Sequence, residues 1–323
     1  LLRKLGEWDE QGPGNTRAEK TRYQNGRSQI LQELIAASKT TEDRAQWIRQ
    51  MADGMALAVQ SGGYPDGLER LKAMESQQYK ADRTSKLVPY ITYRRISADY
   101  SLRLQTASND KRQEAQKWYS EQLEGYWKAY PSSEDTPDVL MQLALGNEYQ
   151  NNIAEAKKWY GQLVRQFGKT ANGRKAQGAL KRLSMEGKMF AMSGPAIEGG
   201  KLDISAYKGR VTLVVYWATW CTPCTADMPL LIALYDTYKK NGFEVMGVNM
   251  DPKGSDAKIS AYKKKYKIAF NSLSEPEGLD GPLGLSYGIV SAPTMFLIGK
   301  DGRVLRRSVS ITDLKRELPD FLK

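Results

Sequence analysis

The sequence of 323 residues contains no histidine and only two cysteines. The missing imidazole excludes general acid or base catalysis by histidine, Ser-His-Asp hydrolysis, and zinc or haem held by a histidine ligand. Two cysteines alone cannot close a structural zinc site, which takes four ligands. The chemistry of this chain therefore has to come from other side chains, and we expect no metal and no other cofactor.

Long hydrophobic runs and concentrated charge are also missing. No apolar stretch reaches the roughly 18 residues that span a bilayer, and the longest clear run, Val211 to Ala218, is interrupted by Thr212. The net charge of +11 is shared by both halves of the chain and clusters only locally, as at Lys263, Lys264 and Lys265. We therefore expect no transmembrane segment in this chain and no binding to nucleic acid.

The hydrophobic pattern changes near residue 187. Residues 1–187 carry apolar side chains at spacings of three and four, which is typical of helices, whereas strand-like runs follow. A chain of this length is also long for a single hydrophobic core. We predict two domains: a helical region over 1–187, poorly ordered over the polar residues 1–27, and an α/β domain over 188–323. The predicted helices of the first region are Ser28 to Lys39, Thr41 to Ser61, Leu68 to Ala81, Ile96 to Thr106, Lys111 to Tyr130, Thr136 to Gln150, Ile153 to Phe167 and Asn172 to Met185.

A repeat is visible within the helical region. Glu114-Ala115-Gln116-Lys117-Trp118-Tyr119 recurs as Glu155-Ala156-Lys157-Lys158-Trp159-Tyr160, which indicates repeated helix pairs. The stretch over residues 111–185 resembles tetratricopeptide-type repeats. Its aromatic side chains suit either the packing of a helical core or a groove that binds a peptide or protein partner, and helical spacing favours the core.

The second half has the pattern of an α/β sheet. Val211 to Trp217 is almost continuously apolar, as expected for a strand buried on both faces, and Phe243 to Val248 is a second such strand. Thr222 to Lys240 lies between them with a helical stripe, so the two strands should be parallel. Thr294 to Ile298 and Val304 to Arg306 flank an Asp-Gly turn signal, which predicts a hairpin.

The two cysteines stand three residues apart, where the first apolar strand ends and the helix begins. At a helix N-terminus the free backbone N–H groups and the macrodipole stabilise negative charge, which lowers the pKa of a thiol. Cys221 is therefore the expected nucleophile. Cys224 lies close enough to attack a mixed disulfide formed at Cys221, and is the expected resolving thiol.

Three motifs accompany this pair. They are Trp217-Ala218-Thr219-Trp220-Cys221-Thr222-Pro223-Cys224, Asp227-Met228-Pro229 and Tyr287-Gly288-Ile289-Val290-Ser291-Ala292-Pro293-Thr294. Over residues 188–323 they resemble the exported TlpA/ResA family of thioredoxin-like proteins. The resemblance implies a thioredoxin-like α/β/α domain with a mixed central sheet, which exchanges disulfides with protein thiols and preferentially reduces them. It also implies an upstream redox donor and a location in the cell envelope or periplasm, with anchoring through a segment outside this chain.

The same resemblance implies roles for individual residues around the dithiol. Pro293 should follow a cis peptide bond and face the two sulfurs, while Ala292 and Thr294 should bind an extended substrate segment as an added strand. Trp220 and Pro223 should support the active site, and Pro223 suits the first helical turn because its missing N–H has no partner there.

An acid is expected to serve Cys224. Ordinary thioredoxins carry a buried acid on the central strand, six residues before the first cysteine, and Val215 occupies that position here. ResA-type proteins carry a glutamate three residues after the second cysteine, where this chain has Asp227. We expect Asp227 to relay the proton of Cys224, with a solvated helix-surface aspartate as the alternative.

Three other functions compete with disulfide exchange. A purely structural disulfide would close a very small loop, which adds little stability. A thiol peroxidase of the peroxiredoxin type carries a threonine three residues before its reactive cysteine, where this chain has Ala218. In the third alternative the chain is an adaptor whose helical region recruits a partner and whose redox domain is secondary.

Overall fold

The computed structural model describes the backbone of residues 1–323 and all side chains except those of Asn109 and Asp110. The chain divides into two compact units, residues 1–152 and 153–323. Each unit has its own hydrophobic core. No helix among the described residues combines the length and apolarity that a membrane crossing needs.

The first unit is helical throughout. Its core lies mainly between the second and fifth helices, where Leu31, Leu71 and Ile91 are completely buried. The helices are α1 (Leu2–Gln11), α2 (Arg17–Ala37), α3 (Thr41–Gln60), α4 (Gly67–Ala81), α5 (Leu87–Thr106), α6 (Asn109–Ala129) and α7 (Thr136–Tyr149).

The expectation of little order over residues 1–27 is corrected by α1 and the first half of α2. The α2 helix begins with a capping box, in which Thr16 accepts a hydrogen bond from the N–H of Glu19 and the Glu19 carboxylate accepts one from the N–H of Thr16. The Trp8 indole of α1 donates to the Tyr23 carbonyl at 3.0 Å. The polar composition of residues 1–27 did not predict these helices, because they lack a continuous apolar stripe. The capping box and the Trp8 side chain stabilise them instead.

The fifth helix begins nine residues before the predicted start at Ile96. Pro89 occupies the first turn of α5, where a helical N–H has no intrahelical partner. Its fixed φ is therefore compatible with the helix, and the predicted start is corrected to Leu87.

The second unit contains the mixed sheet. Its elements are α8 (Ile153–Phe167), α9 (Ala171–Arg182), β1 (Ser193–Pro195), β2 (Lys201–Asp203), β3 (Val211–Trp217), α10 (Thr222–Tyr238), β4 (Phe243–Asn249), α11 (Asp256–Tyr266), β5 (Ser272–Ser274), α12 (Pro282–Ser286), β6 (Thr294–Ile298), β7 (Val304–Arg306) and α13 (Ile311–Leu322). The sheet has the strand order β5-β4-β3-β6-β7. β3 is parallel to β4 and antiparallel to β6, and every residue of β3 and β4 is buried. The predicted parallel pair and the β6–β7 hairpin are confirmed, and the second unit has the expected thioredoxin-like fold.

Helices α8 and α9 belong to the same compact unit as the sheet, although their periodicity resembles that of the preceding helices. α9 approaches the turn after α12 at two glycines: a Cβ on Gly178 would lie 2.0 Å from the Leu285 carbonyl oxygen, and one on Gly288 would lie 2.3 Å from the N of Ala179. The buried Arg182 donates to the Tyr287 carbonyl at 3.0 Å. These close contacts hold α9 against the segment that leads to Pro293.

Candidate active site

The two cysteines meet where β3 ends and α10 begins. Cys221 is the N-cap residue of α10 and forms a disulfide with Cys224, with the two Cα atoms 5.3 Å apart. The N–H of Cys224 also donates to the Cys221 sulfur at 3.1 Å. The Cys221 sulfur therefore lies at the positive end of the helix, where backbone N–H groups stabilise a thiolate.

The two cysteines are buried, whereas the residues next to them are exposed to solvent. Cys221 and Cys224 are 4% and 2% exposed, whereas the neighbouring Trp220 is 57% exposed. Thr222 and Pro223 are also exposed. A macromolecular substrate would thus meet the tryptophan and the first turn of α10 before it reaches the sulfurs.

The peptide bond between Ala292 and Pro293 is cis, which confirms the cis-proline expected there. Tyr216 pairs with Thr294 across the antiparallel β3–β6 ladder. Continuing this register by one residue brings Pro293 opposite Trp217, at the edge of the sheet where β3 leads into the dithiol. The loop before β6 and the cysteines therefore share one edge.

The backbone of Ala292 is available for pairing. Neither its N–H nor its carbonyl takes part in a backbone hydrogen bond among the described residues, and Ser291 beside it is exposed. The Thr294 hydroxyl donates to the Ser291 carbonyl at 2.8 Å. This hydrogen bond links the residues on the two sides of the cis peptide bond. An edge of this kind can pair with an extended peptide.

Known proteins match this half of the chain. A model of the AhpC/TSA family matches residues 186–307. The thiol-disulfide oxidoreductase ResA of Bacillus thuringiensis subsp. konkukian (strain 97-27) is 33% identical over 129 residues, which cover 39% of this chain and 70% of the relative. ResA of Geobacillus thermodenitrificans (strain NG80-2) is 30% identical over 128 residues, with the same shares of both chains. This chain belongs to the ResA family of thiol-disulfide oxidoreductases.

Solved structures give similar matches. A thiol-disulfide oxidoreductase from Bacteroides fragilis NCTC 9343 is 27% identical, with 41% of this chain and 97% of that chain covered and a TM-score of 0.38. The family model begins at residue 186, so it includes the sheet and the dithiol and leaves α1 to α9 outside. The membership in the ResA family thus makes the chain a thiol-disulfide oxidoreductase through its C-terminal part.

Asp227 lies one helical turn after Cys224. It is half-buried, and the burial raises the pKa of its carboxyl above the ordinary value. The carboxyl makes no hydrogen bond or ion pair with a described residue. The spacing of three residues places Asp227 and Cys224 on the same face of α10, which is compatible with the expected proton relay but leaves that role a prediction.

The buried acid of ordinary thioredoxins has no replacement at its own position. Val215 is buried in the centre of β3, and its neighbours across the sheet are Gly247 and Met295. An ionised carboxylate would lose its hydration at this position without a partner. The group that accepts the proton of Cys224 therefore has to lie outside the central strand.

One buried acid near the dithiol was missed by sequence reasoning. Asp251 is 4% exposed and follows β4. Its carboxylate accepts the N–H of Thr219 at 2.9 Å and the Thr219 hydroxyl at 2.5 Å, and the Asn249 amide donates to it at 2.7 Å. The carboxyl ends of parallel strands meet at one edge, so an acid just after β4 could have been expected beside the end of β3.

A second missed acid supports the segment before the cis-proline. Glu275 is buried, and its carboxylate accepts the N–H of Leu283 at 2.6 Å at the start of α12. Burial raises the pKa of the Glu275 carboxyl above its ordinary value. Nothing in the sequence spacing distinguishes this glutamate from the exposed Glu277 two residues later.

Proposed function

We propose that this protein reduces disulfides in protein substrates of the cell envelope through Cys221. The observation that carries the proposal is the Cys221–Cys224 pair at the N-terminus of α10, at the same sheet edge as the cis peptide bond of Pro293. A helix N-terminus lowers the pKa of the capping thiol. The unpaired backbone of Ala292 supplies a docking edge for an extended substrate beside it.

In the first step the Cys221 thiolate attacks one sulfur of the substrate disulfide. A bond forms between the Cys221 sulfur and that substrate sulfur, and the second substrate cysteine leaves as a thiolate. In the second step Cys224 loses its proton and attacks the Cys221 sulfur, and the bond between Cys221 and the substrate sulfur breaks. The product is the Cys221–Cys224 disulfide, both substrate thiols are released, and two electrons have passed from the enzyme to the substrate.

Several neighbouring residues support these steps. Asp227 accepts the proton of Cys224 when the mixed disulfide is resolved. Trp220 and Pro223 form the exposed surface around Cys221 against which the substrate packs, while Ala292 and Thr294 align the substrate strand. An upstream dithiol protein returns two electrons to the enzyme disulfide, which completes the cycle.

The experiment that tests the proposal uses the resolving-cysteine variant. Cys224→Ser stops the reaction after the first step, so mixed disulfides with substrate proteins should accumulate on Cys221 and disappear on treatment with dithiothreitol. Cys221→Ser is the matched control and should trap none. Wild-type protein equilibrated with glutathione buffers should have a potential low enough to reduce the trapped partners. A potential too high to reduce them would instead assign the oxidising direction.

The same variants distinguish the two other functions. A peroxidase would consume hydrogen peroxide at a rate that depends on Cys221, and such turnover in place of trapped proteins would contradict the proposal. An adaptor would keep its cellular function in Cys221→Ser and lose it on removal of residues 1–152.

The proposed location is the cell envelope. The resemblance to the exported TlpA/ResA family and the match to ResA proteins support this location. A membrane-impermeant maleimide applied to intact cells should label the dithiol after mild reduction. Labelling only after lysis would place the protein in the cytosol.

A further inference from the structure

The edge at Ala292 lies on a short segment that makes few hydrogen bonds of its own. Residues 290–292 form no backbone-to-backbone hydrogen bond with a described residue. At one end the segment joins β6, which begins at Thr294. At the other end Ile289 is 1% exposed, and its N–H donates to the Gly284 carbonyl at 2.9 Å. The position of the edge therefore depends on the contacts that hold these two ends.

Helix α9 contacts the buried end through its backbone. A Cβ on Gly178 would lie 2.3 Å from the N of Gly288, and one on Gly288 would lie 2.4 Å from the Lys175 carbonyl oxygen. The two backbones can approach so closely only because both positions lack a side chain. Gly288 also has a φ of +58°, which glycine adopts without strain. A shift of α9 would therefore shift the turn that leads to the edge.

The last turn of α9 contacts Tyr287 in the same turn. Arg182 is 6% exposed, and its Nε donates to the Tyr287 carbonyl at 3.0 Å. Nζ of Lys181 lies 4.2 Å from the centre of the Tyr287 ring, within the range of a cation–π contact. A hydrogen bond from a charged donor is stronger and more directional than the packing of two glycines. Arg182 therefore fixes the direction in which the chain leaves this turn.

We propose that α9 positions the substrate-docking edge, with Arg182 and Gly178 as positioning residues for Ala292. The inference rests on the proposed function, because it takes Ala292 as the residue that pairs with an extended substrate. Cys221 is positioned by β3 and α10 instead. A change in α9 should therefore impair the reaction with a peptide that pairs with the edge more than the reaction with a disulfide too small to reach it.

Two substrates with the same reacting disulfide test this proposal on the full-length protein. One is N-acetylcysteine and the other is an extended peptide with a single internal cysteine, and each cysteine is linked to 5-thio-2-nitrobenzoate. The Cys221 thiolate of the reduced protein attacks the cysteine sulfur, and thionitrobenzoate leaves as a coloured thiolate. Its release gives a second-order rate constant for each substrate. Wild-type protein should react at least about tenfold faster with the peptide, because hydrogen bonds to the N–H and the carbonyl of Ala292 together contribute about that factor.

The first variant is Arg182→Met, which removes the hydrogen bond to the Tyr287 carbonyl and keeps most of the side-chain volume. The ratio of the peptide rate constant to the N-acetylcysteine rate constant should fall at least about fivefold, since a small misplacement of a docking group can lower a rate by up to about 10²-fold. Arg182→Lys retains a cationic donor and should recover part of the ratio. Arg165→Met, at an exposed arginine of α8, is the control and should keep the wild-type ratio. Equal losses with both substrates in Arg182→Met, or no loss with the peptide, would overturn the proposal.

A pair of glycine variants keeps the test decisive if Arg182→Met does not fold. Gly178→Ala inserts a methyl group between α9 and the turn before the edge. Gly161→Ala adds one to α8, where the nearest atom, Nη1 of Arg165, would lie at 3.8 Å. Gly178→Ala should lower the ratio of the two rate constants, and Gly161→Ala should retain the wild-type ratio. An unchanged ratio in Gly178→Ala would contradict the positioning role of α9.

The wild-type protein separates this inference from the proposed function. If neither substrate releases thionitrobenzoate, Cys221 does not reduce disulfides and the proposed function is wrong. If both substrates react at equal rates, disulfide reduction by Cys221 stands, whereas docking at Ala292 and the positioning by α9 are overturned.

Discussion

The carboxylate of Asp251 accepts both the backbone N–H and the hydroxyl of Thr219, two residues before the nucleophilic sulfur. Asp251 follows β4 and Thr219 follows β3, and these two strands are parallel. The hydrogen bonds therefore connect the neighbouring strand ends and fix the turn that carries Trp220 into Cys221. This makes Asp251 a positioning residue for the dithiol.

The substitution Asp251→Ala tests this role. It removes both acceptors from Thr219 and leaves buried donors unpaired, so we expect a loss of about 2 kcal/mol in the free energy of unfolding. The rate at which Cys221 reacts with a disulfide substrate should fall about tenfold as the turn loosens. Urea unfolding and stopped-flow reduction of a model disulfide measure the two effects. Asp256→Asn, at an exposed acid in the first turn of α11, is the control: it should leave the rate unchanged and lower the stability by at most about 1 kcal/mol. A fall in stability with an unchanged rate would limit Asp251 to a purely structural role.

The raised pKa of Glu275 predicts a pH dependence of stability. A carboxyl whose pKa is higher in the folded than in the unfolded protein binds protons more tightly when folded, so its contribution falls as the pH rises from the ordinary value of 4.5 through the folded pKa. Glu275→Gln removes this loss and retains an oxygen that accepts the Leu283 N–H. The variant should therefore be more stable than wild type near neutral pH.

Urea unfolding from about pH 4 to about pH 8 measures this difference. The advantage of Glu275→Gln should grow with pH through that range and disappear at its acid end. Asp320→Asn removes an exposed carboxylate of α13 and should give a difference that is small and nearly constant with pH. An advantage of Glu275→Gln that is equally large at the acid end would contradict the titration of Glu275 as its cause.

The contact of α9 with the segment before Pro293 predicts a pair of opposite glycine effects. Gly178→Ala should destabilise the protein by about 1–3 kcal/mol, as expected when a methyl group is forced into a packed position, because its Cβ would lie 2.0 Å from the Leu285 carbonyl oxygen. Gly161→Ala, on the neighbouring α8, meets only the end of Arg165 at 3.8 Å. It should stabilise the protein by up to about 1 kcal/mol through helix propensity.

Thermal unfolding of the two variants compares them directly. The same contact also predicts that a chain truncated to residues 153–323 unfolds at a higher temperature than one truncated to 188–323, because only the longer chain retains Gly178 and Arg182. Equal melting temperatures of the two truncated chains would show that the sheet does not depend on α9.

The sequence predicted the parts of the active site that local chemistry determines. The position of Cys221 between a buried strand and a helix follows from the hydrophobic period, and the cis bond at Pro293 followed from a family motif. Asp251 was missed although its place directly after β4 could have pointed to it, whereas the importance of Glu275 depends on its burial and on its hydrogen bond with the N–H of Leu283. Sequence spacing contains no direct record of such contacts.

In the helical half, too, local features were predicted from the sequence and tertiary contacts were not. The helix from Ile153 to Phe167 was predicted with its observed bounds because it has a clear amphipathic stripe. The grouping of α8 and α9 with the sheet could not be predicted, since it depends on the close approach of Gly178 to Gly288. Whether the helix pairs are tetratricopeptide repeats stays a prediction.

The proposed proton relay through Asp227 gives the last prediction. Its raised pKa keeps the carboxyl protonated to a higher pH than an ordinary aspartate, and above that pKa the carboxylate can accept the proton of Cys224. The rate at which Cys224 resolves a mixed disulfide should therefore rise with pH as Asp227 ionises. In Asp227→Asn this rise should be absent, and the rate near neutral pH should fall by up to about 10²-fold, the lower end of what a positioned acid–base group contributes.

Stopped-flow release of a fluorescent peptide from a preformed Cys221 mixed disulfide measures the resolving step alone. Asp236→Asn, at an exposed acid in the last turn of the same helix, controls for the loss of one negative charge from α10 and should retain the wild-type pH profile. A structural role for Asp227 would lower the rate equally at every pH, because the fraction of ionised Cys224 would keep its ordinary dependence. If Asp227→Asn lacks the increase of the resolving rate with pH, the Asp227 carboxylate accepts the proton of Cys224. If the pH profile of Asp227→Asn is unchanged, solvent water accepts that proton instead.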